Sequence, residues 1–243
     1  MASKPRFFEK DQPVHVISRA LIDVFKNKED CYRFVFQFYA ANVGRKWSNT
    51  TVKDAAKAGQ SLLQGEEISS KFIIKEHDPL VDLLDFSFVI NHNHFYLIPR
   101  NEKAIPILMA RLNGGFAKYF NIINNRKDAV FGSRYKGISV TTNFQSYAVC
   151  RYISIINPLD VFQPGWREDG LKNQREAFEF LQNYEFSSFP DRIGKRNAKI
   201  LASKNILDEH TFQTGSEKGK AEFRAFVKEF LKEKSKLSSI ELE

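Results

Sequence analysis

The stretch from Phe86 to Ile98, FSFVINHNHFYLI, constrains the fold more than any other part of the chain. Apolar and polar residues alternate in it around two histidines. A period of two is typical of a β-strand whose side chains point alternately to two faces of a sheet. We therefore predict a strand here, with His92 and His94 on the same face.

Strand and helix patterns alternate along the rest of the chain. The other predicted strands lie at 14–19, 72–74 and 137–142, and the predicted helices at 31–42, 52–63, about 105–121, 143–155, about 174–183 and from about 217. Their connections are short enough for antiparallel pairing, so the pattern predicts an α+β fold rather than a doubly wound parallel sheet. Residues 43–70 are predicted to form an inserted, more exposed helix. The charged tail helix has an apolar stripe, which is predicted to pack onto the body or onto a second subunit.

The composition favours a polyanionic partner without requiring one. The formal charge is +8, and a basic excess suits nucleic acid because neutralised phosphates release counterions, although many basic proteins never bind it. Cys31 and Cys150 lie among apolar residues and are predicted to be buried, reduced thiols. Neither a signal-peptide stretch nor an apolar run long enough to span a membrane is found, so we expect a soluble, cytoplasmic protein.

The two histidines are candidate metal ligands. Neutral imidazole binds divalent metals, and two such ligands on a rigid strand leave other positions open for a phosphodiester. Taken alone, an HxH pair also arises by chance, with one histidine buried and hydrogen-bonded and the other solvated. His15, in the first predicted strand, could line the same face, although a structural role is the simpler interpretation for it.

Tyr152 is a candidate nucleophile. A tyrosine can attack a phosphodiester and keep one end of the broken strand as a phosphotyrosine. Tyr152 lies on the predicted helix before Asn157-Pro158. The chain has eight tyrosines, and composition alone does not choose among them.

Six blocks of the sequence, taken in order, resemble a known family, the REP-associated tyrosine transposases, which are small HUH single-strand transposases of the insertion-sequence-200 type. The blocks are VHVISR at 14–19 (similar to YHVTSRG), NHNHFYLIP at 91–99 (MPNHxHLLL), GFAKYFN at 115–121 (SYARYFN), FGSRYK at 131–136 (FxGRYK), RYISIINPL at 151–159 (RYIHLNPV) and YEFSSFPDRIG at 184–194 (YxWSSYxxYxG). Their common order is more specific than any one block.

The resemblance implies a ferredoxin-like α+β core with the histidine strand central in an antiparallel sheet. It implies a nuclease domain over 1–195, with a helical insertion at about 43–70, and a charged helical extension over 196–243. His92, His94 and an amide one helical turn after the tyrosine, Asn157, would bind Mg²⁺ or Mn²⁺. Tyr152 would form a 5′-phosphotyrosine with single-stranded, hairpin-containing DNA during DNA transposition. Related proteins act as monomers or homodimers.

Two positions depart from the family pattern. Asn93 stands between the histidines, where a bulky hydrophobic residue is usual, and it should affect packing more than chemistry because it faces away from the metal. Tyr152 and Asn157 are five residues apart instead of four, which rotates Asn157 by about 100° on a regular helix. A local bulge could restore the geometry, another group could be the third ligand, or the site could be degenerate.

Basic and aromatic residues near these blocks are predicted to contact the DNA backbone or to stack on unpaired bases. They are Lys118, Arg126, Arg134, Tyr135, Lys136 and Arg151. Two other functions remain open: a single-stranded DNA-binding protein of the same fold that has lost catalysis, and an RNA-binding ferredoxin-like module.

Overall fold

The computed structural model describes residues 7–132 and 134–240. Its strands are β1 (Val14–Arg19), β2 (Gly44–Lys46), β3 (Ile73–Lys75), β4 (Val81–Val89), β5 (His92–Pro99) and β6 (Lys136–Ser139). Its helices are α1 (Lys28–Val43), α2 (Val52–Gln64), α3 (Ala104–Ile123), α4 (Asn143–Arg151), α5 (Asn157–Phe162), α6 (Trp166–Asp169), α7 (Gln174–Asn183), α8 (Phe189–Arg192), α9 (Lys204–His210) and α10 (Glu217–Ile240), with a 3₁₀ turn at Ser70–Phe72 and a π-helical turn at Tyr152–Ile156.

The main sheet has four strands in the order β4-β5-β1-β6, and every neighbouring pair is antiparallel. Helix α1 connects β1 to the β4–β5 hairpin, and α3 connects that hairpin to β6. This is the split β-α-β arrangement of ferredoxin-like folds. The predicted α+β core is therefore confirmed, with the histidine strand β5 internal to the sheet.

The prediction of one strand across 86–98 was wrong. The chain turns at Ile90-Asn91, and β4 and β5 pair as a hairpin with Val89 opposite His92. In a continuous strand Phe86 and Phe88 would share the face of the histidines. The tight turn places them on the other face instead, opposite Phe95 and Asn93. The alternation of apolar and polar residues did not reveal the turn, because the alternation continues on both sides of Ile90-Asn91.

One face of the sheet, which carries Val16, Phe88 and Phe95, is covered by α1 and α3, and we call it the helix face. Asn27 caps the N-terminus of helix α1, because its side chain accepts a hydrogen bond from the Asp30 backbone N–H. Its buried Phe34 packs against Phe88 and Phe95. This aromatic packing forms the largest core cluster of the described residues.

Helix α2, in the predicted insertion, packs closely against α1. A capping box of Thr51 and Asp54 begins it, and Gly65 ends it in the left-handed conformation, with φ 86°. At Gly59 a Cβ atom would lie 1.8 Å from the Tyr32 carbonyl oxygen, so only glycine permits the observed approach. The segment is helical as predicted, but one face is buried rather than exposed, because Leu62 and Leu63 join the main core.

The opposite face of the sheet carries His15, His92, His94 and Tyr96, and we call it the histidine face. Helix α4, the π-helical turn and α5 lie over it, and Cys150 and Ile153 pack there against Tyr96. The two cysteines are buried and free, as predicted.

The C-terminal helix α10 lies against the body through three buried members of its apolar stripe, Phe223, Phe230 and Leu231. The Phe230 ring packs against Trp166 of α6, and the Phe223 ring against Phe189 of α8. The domain boundary predicted at residue 195 stays a prediction. Residues 1–6 of the first predicted domain and 241–243 of the second lie outside the described part of the chain, as does Ser133 of the FGSRYK block. Across the described ranges, no helix has both the length and the apolar character that crossing a membrane requires.

Candidate active site

His94 lies at the centre of the histidine face, where it is 2% exposed. Its Nδ1 lies 3.0 Å from Nε2 of His15, and the two rings stack at 5.3 Å. Burial lowers the pKa of His94 to about 2 and that of His15 to about 4, so both imidazoles are neutral. Because the sheet pairs His15 opposite Tyr96, His15 does face the same side as the histidine pair.

The other ring nitrogen of His94, Nε2, is buried and has no hydrogen-bond partner among the described residues. Buried polar atoms are seldom left unpaired, so such an atom needs an explanation. Nε2 of a neutral imidazole whose Nδ1 is hydrogen-bonded is the usual donor atom to a metal. This orphaned nitrogen therefore fits a metal ligand.

His92 begins β5 and faces two amide oxygens. Its Nδ1 lies 2.8 Å from Oδ1 of Asn91, and its Nε2 lies 3.3 Å from Oδ1 of Asn157. Burial lowers the pKa of His92, and a neutral imidazole has only one N–H, so one of these contacts joins two acceptors. A cation placed between an acceptor nitrogen and an amide oxygen would satisfy both.

The position of Asn157 depends on the π-helical turn. The backbone N–H of Asn157 donates to the carbonyl of Tyr152, five residues earlier, so the extra residue is accommodated in one wider turn. The local bulge, among the three alternatives, is thus present. Asn157 is fully buried, and its Nδ2 donates to Oγ of Ser87 at 2.7 Å. That hydrogen bond directs Oδ1 toward His92.

Tyr152 lies at the start of the same turn. Its half-buried ring has its centre 5.2 Å from that of His94 and 6.2 Å from that of His15. Tyr152 and Asn157 therefore both approach the histidines, one at each end of the π-helical turn. Their joint approach is the arrangement that the five-residue spacing had put in question.

Sequence analysis missed Arg167, on α6. Its guanidinium carbon lies 5.5 Å from the Tyr152 ring centre, and its Nε donates to Oδ1 of Asp160 at 2.9 Å. The hydrogen bond to Asp160 raises the pKa of Arg167, and a hydrogen bond with Tyr152 adds to the rise. No spacing pattern connects Arg167 to the histidines, because a Pro164-Gly165 turn separates α6 from α5.

The possible metal ligands are two imidazoles and one amide. Within the described residues, no group of three or more His, Cys, Asp and Glu side chains could hold a metal ion. A site formed by His92, His94 and Asn157 would leave positions open for water or a phosphate oxygen. Imidazole nitrogens bind Mn²⁺ more readily than Mg²⁺, which prefers oxygen ligands.

The six residues predicted to contact DNA do not form one cluster. Lys136 on β6 pairs with Ile17, which is itself opposite His94, so Lys136 lies on the histidine face. Arg151 is exposed and directly precedes Tyr152. The others lie elsewhere: Lys118 lines a cavity between α1 and α3, Arg134 and Tyr135 line another beside α3, and Arg126 lies 3.8 Å from Asp128. Nucleic-acid contact stays a prediction for all six.

Arg19 adds positive charge on the histidine face, because it pairs directly opposite His92. Together with Arg167 it lowers the pKa of His92 and His94, after the larger effect of burial. The surroundings of the histidines are therefore electropositive, which suits a phosphate-bearing substrate.

Among known proteins, no family model matches the chain, and no curated protein matches its sequence. Among solved structures, the chain is similar to one described as the structure of the REP associates tyrosine transposase bound to a REP hairpin. The two share 10% sequence identity, with a TM-score of 0.42, over 84% of this chain and 92% of that chain. A likeness this distant assigns no family, and no residue role is taken from it.

Proposed function

We propose that the protein cleaves and rejoins single-stranded, hairpin-containing DNA, as in DNA transposition, with Tyr152 as nucleophile and Mg²⁺ or Mn²⁺ as cofactor. The observation that carries the proposal is the π-helical turn, which brings Tyr152 beside His94 and Asn157 beside His92. π-helical turns inside α-helices are frequently found at functional sites. The ordered sequence blocks support single-stranded DNA as the substrate.

In this reaction Oη of Tyr152 attacks the phosphorus of the scissile phosphodiester. A bond from the tyrosine oxygen to phosphorus forms as the bond to the 3′ oxygen breaks, which leaves a 5′-phosphotyrosine and a free 3′ hydroxyl. The phenol proton passes to solvent, and the departing 3′ oxygen takes up a proton. Attack by a 3′ hydroxyl on the phosphotyrosine reverses these changes and rejoins the strand.

The surrounding residues have distinct roles. Arg167 lies against the ring of Tyr152 and stabilises negative charge on its oxygen as the proton leaves. His15 holds the orientation of His94 through the 3.0 Å contact, and Ser87 holds that of Asn157. A cation held by His92, His94 and Asn157 would polarise the phosphate and offset its developing charge.

The decisive experiment tests for a covalent adduct. The protein is incubated with 5′-labelled and 3′-labelled single-stranded hairpin DNA and Mn²⁺ or Mg²⁺, then resolved under denaturing conditions. We expect an adduct with wild type and with Tyr147→Phe, a matched tyrosine variant on the same helical segment, and none with Tyr152→Phe. Failure of wild type to form an adduct with either metal, or an adduct in Tyr152→Phe, would sink the proposal.

A second pair of variants tests the metal ligands. His94→Ala should abolish the adduct, whereas His77→Ala, which alters a half-buried histidine on the connection before β4, should leave it intact. Hairpin binding that is tight, independent of metal and unchanged in His92→Ala, without any nicking, would instead support the non-catalytic DNA-binding alternative. Preference for RNA over DNA of matched sequence would support the RNA-binding one.

A further inference from the structure

A second site lies on the opposite side of the sheet from the histidines. A cavity of about 520 Å³ opens between α1, the inserted helix α2 and α3. Pockets that bind small ligands fall in the range of roughly 300–1,000 Å³. The cavity is thus large enough for a small organic molecule, and none of the candidate active-site residues lines it.

Its lining is strongly basic. Five basic side chains face it, against one acidic side chain, Glu76. Oε1 of Glu76 lies 2.6 Å from Nε of Arg45 and is therefore already paired. The other basic residues of the lining are Arg33, Lys46, Arg111 and Lys118. None of these four forms an ion pair with a carboxylate of the described residues, so the cavity concentrates uncompensated positive charge.

Arg33 is the least expected member of this group. It is 4% exposed, and its guanidinium carbon lies 5.5 Å from the Phe36 ring centre and 5.2 Å from that of Tyr119. Its Nη1 donates to Oε1 of Gln37 at 3.1 Å. Burial lowers its pKa to about 10, more than the interaction with Tyr119 raises it, and no carboxylate of the described residues forms an ion pair with it. A buried cation without an anion is costly, and a bound anion would relieve that cost.

Lys46 and Lys118 approach the same volume. Burial lowers the pKa of Lys46, and the positive charges of Arg33 and Lys118 lower it further. Lys46 on β2 is therefore close enough to Arg33 on α1 and to Lys118 on α3 to be repelled by both. Several donors that converge from different elements suit the multiple oxygens of a phosphate better than a single carboxylate. The remainder of the wall is apolar and includes Ala40, Ala55 and Ile122.

We propose that this cavity binds a nucleoside phosphate, with the phosphate between Arg33, Lys46 and Lys118 and the base against the apolar wall. The nucleotide is either free or the 5′-terminal residue of a single strand. In both cases the cavity recognises a phosphate and the base attached through its sugar. Such binding does not depend on the proposed cleavage activity, because it uses other residues on the other face of the sheet.

The test measures binding of dAMP, inorganic phosphate and adenosine to the full chain by equilibrium dialysis. Trp47, next to Lys46, offers a fluorescence signal. We expect saturable binding of dAMP, weaker binding of phosphate, and none of adenosine. Arg33→Met and Lys46→Met should weaken dAMP binding about 10- to 100-fold, the effect of losing a charged hydrogen bond. Lys53→Met, an exposed lysine on α2 outside the lining, should bind as wild type does.

Thermal unfolding separates binding from a structural role of Arg33. If Arg33 serves a ligand, Arg33→Met should unfold at the same temperature as unliganded wild type or at a higher one, and a given concentration of dAMP should stabilise Arg33→Met less than it stabilises wild type. Should Arg33→Met fail to fold, the Lys46→Met and Lys118→Met variants decide. The proposal is overturned if wild type shows no saturable dAMP binding, or if these variants bind dAMP as tightly as wild type. If inorganic phosphate binds as tightly as dAMP, the claim that the base contacts the apolar wall is overturned.

Two further measurements identify the source of the nucleotide and test whether this cavity is independent of the candidate active site. Competition by a 5′-phosphorylated oligonucleotide, but not by its unphosphorylated form, would identify a strand terminus as a ligand. Binding of dAMP alone, without such competition, would identify the free nucleotide. Tyr152→Phe should bind dAMP as wild type does, so a failure of the cleavage proposal would leave this result unaffected.

Discussion

The two faces of the central sheet differ sharply although they share the same strands. On the helix face, Phe34 packs edge-on against Phe88 and Phe116 at 5.1 and 4.9 Å between ring centres. On the histidine face, neutral imidazoles, a buried amide and a buried contact of 3.3 Å between Asp85 and Arg192 take the place of those rings. Neighbouring residues of β5, His94 and Phe95, belong to different faces.

This difference assigns stability and chemistry to separate sides of one scaffold. Aromatic burial on the helix face supplies free energy of folding in proportion to the apolar area removed from water. Polar groups on the histidine face are costly to bury unless they are satisfied by partners or ligands. We therefore expect substitutions of the buried rings on the helix face to change mainly the free energy of unfolding, and substitutions of the histidines, Tyr152 and Asn157 to change mainly binding and catalysis.

The largest expected effect is on the helix face. Phe34→Ala removes a fully buried ring and should lower the free energy of unfolding by about 3–5 kcal/mol. Phe144→Ala is the matched control, because Phe144 is 83% exposed and its loss should change stability by less than about 0.5 kcal/mol. Urea denaturation measures both. Equal losses in the two variants would contradict the division between the faces.

The Asp85–Arg192 pair on the histidine face makes stability depend on pH. Burial raises the pKa of Asp85 to about 7, although Arg192 opposes the rise, whereas the unfolded value is near 4. A raised folded pKa gives a contribution that is complete below about pH 4 and is lost as the pH rises through about 7. The free energy of unfolding of wild type, relative to Asp85→Asn, should therefore fall over that window, by at most about 1.4 kcal/mol per pH unit.

Chemical denaturation at several pH values checks this. The difference between the two proteins isolates Asp85 from the other titrating groups. A difference that stays constant from pH 4 to about 8, beyond the folded pKa of about 7, or that grows with pH, would show that Asp85 is ionised in the folded protein throughout.

The contact between His15 and His94 predicts an effect on metal affinity. His15→Phe removes the group that orients His94, and losing such a partner typically weakens metal binding about 10- to 100-fold. His77→Phe serves as the control. Calorimetric titration with Mn²⁺ measures the affinity, and thermal unfolding without metal shows whether the fold is intact. An unchanged Mn²⁺ affinity in a folded His15→Phe protein would mean that His15 has only a packing role.

The smallest expected effect tests a buried polar side chain on the helix face. Asn93 is fully buried, and neither its Oδ1 nor its Nδ2 has a hydrogen-bond partner among the described residues. Asn93→Leu removes two unsatisfied polar atoms, although fitting the new side chain offsets part of the gain, so stability should rise by about 1 kcal/mol. The exposed Asn49→Leu is the control. A lower unfolding midpoint for Asn93→Leu would mean that the amide has an unrecognised partner.

Much of the fold followed from local patterns, and the errors had a common cause. Alternation around His92 and His94 correctly placed them on one face, and α4 begins at residue 143 as predicted, after its N-cap Thr142. The hairpin at Ile90-Asn91 was missed because a two-residue turn leaves the alternation undisturbed. The burial of α2 was missed because it depends on Gly59 meeting Tyr32, a contact between separate helices.

For the candidate site, the sequence by itself determined which residue types were available and how far apart they stood. It named His92, His94, Tyr152 and Asn157, and it left open whether the five-residue spacing could bring the last two together. Only the tertiary structure decided that, because closing a π-helical turn depends on what the helix packs against. The same holds for Arg167 and for the cavity at Arg33, since electrostatic surroundings arise from residues distant along the chain.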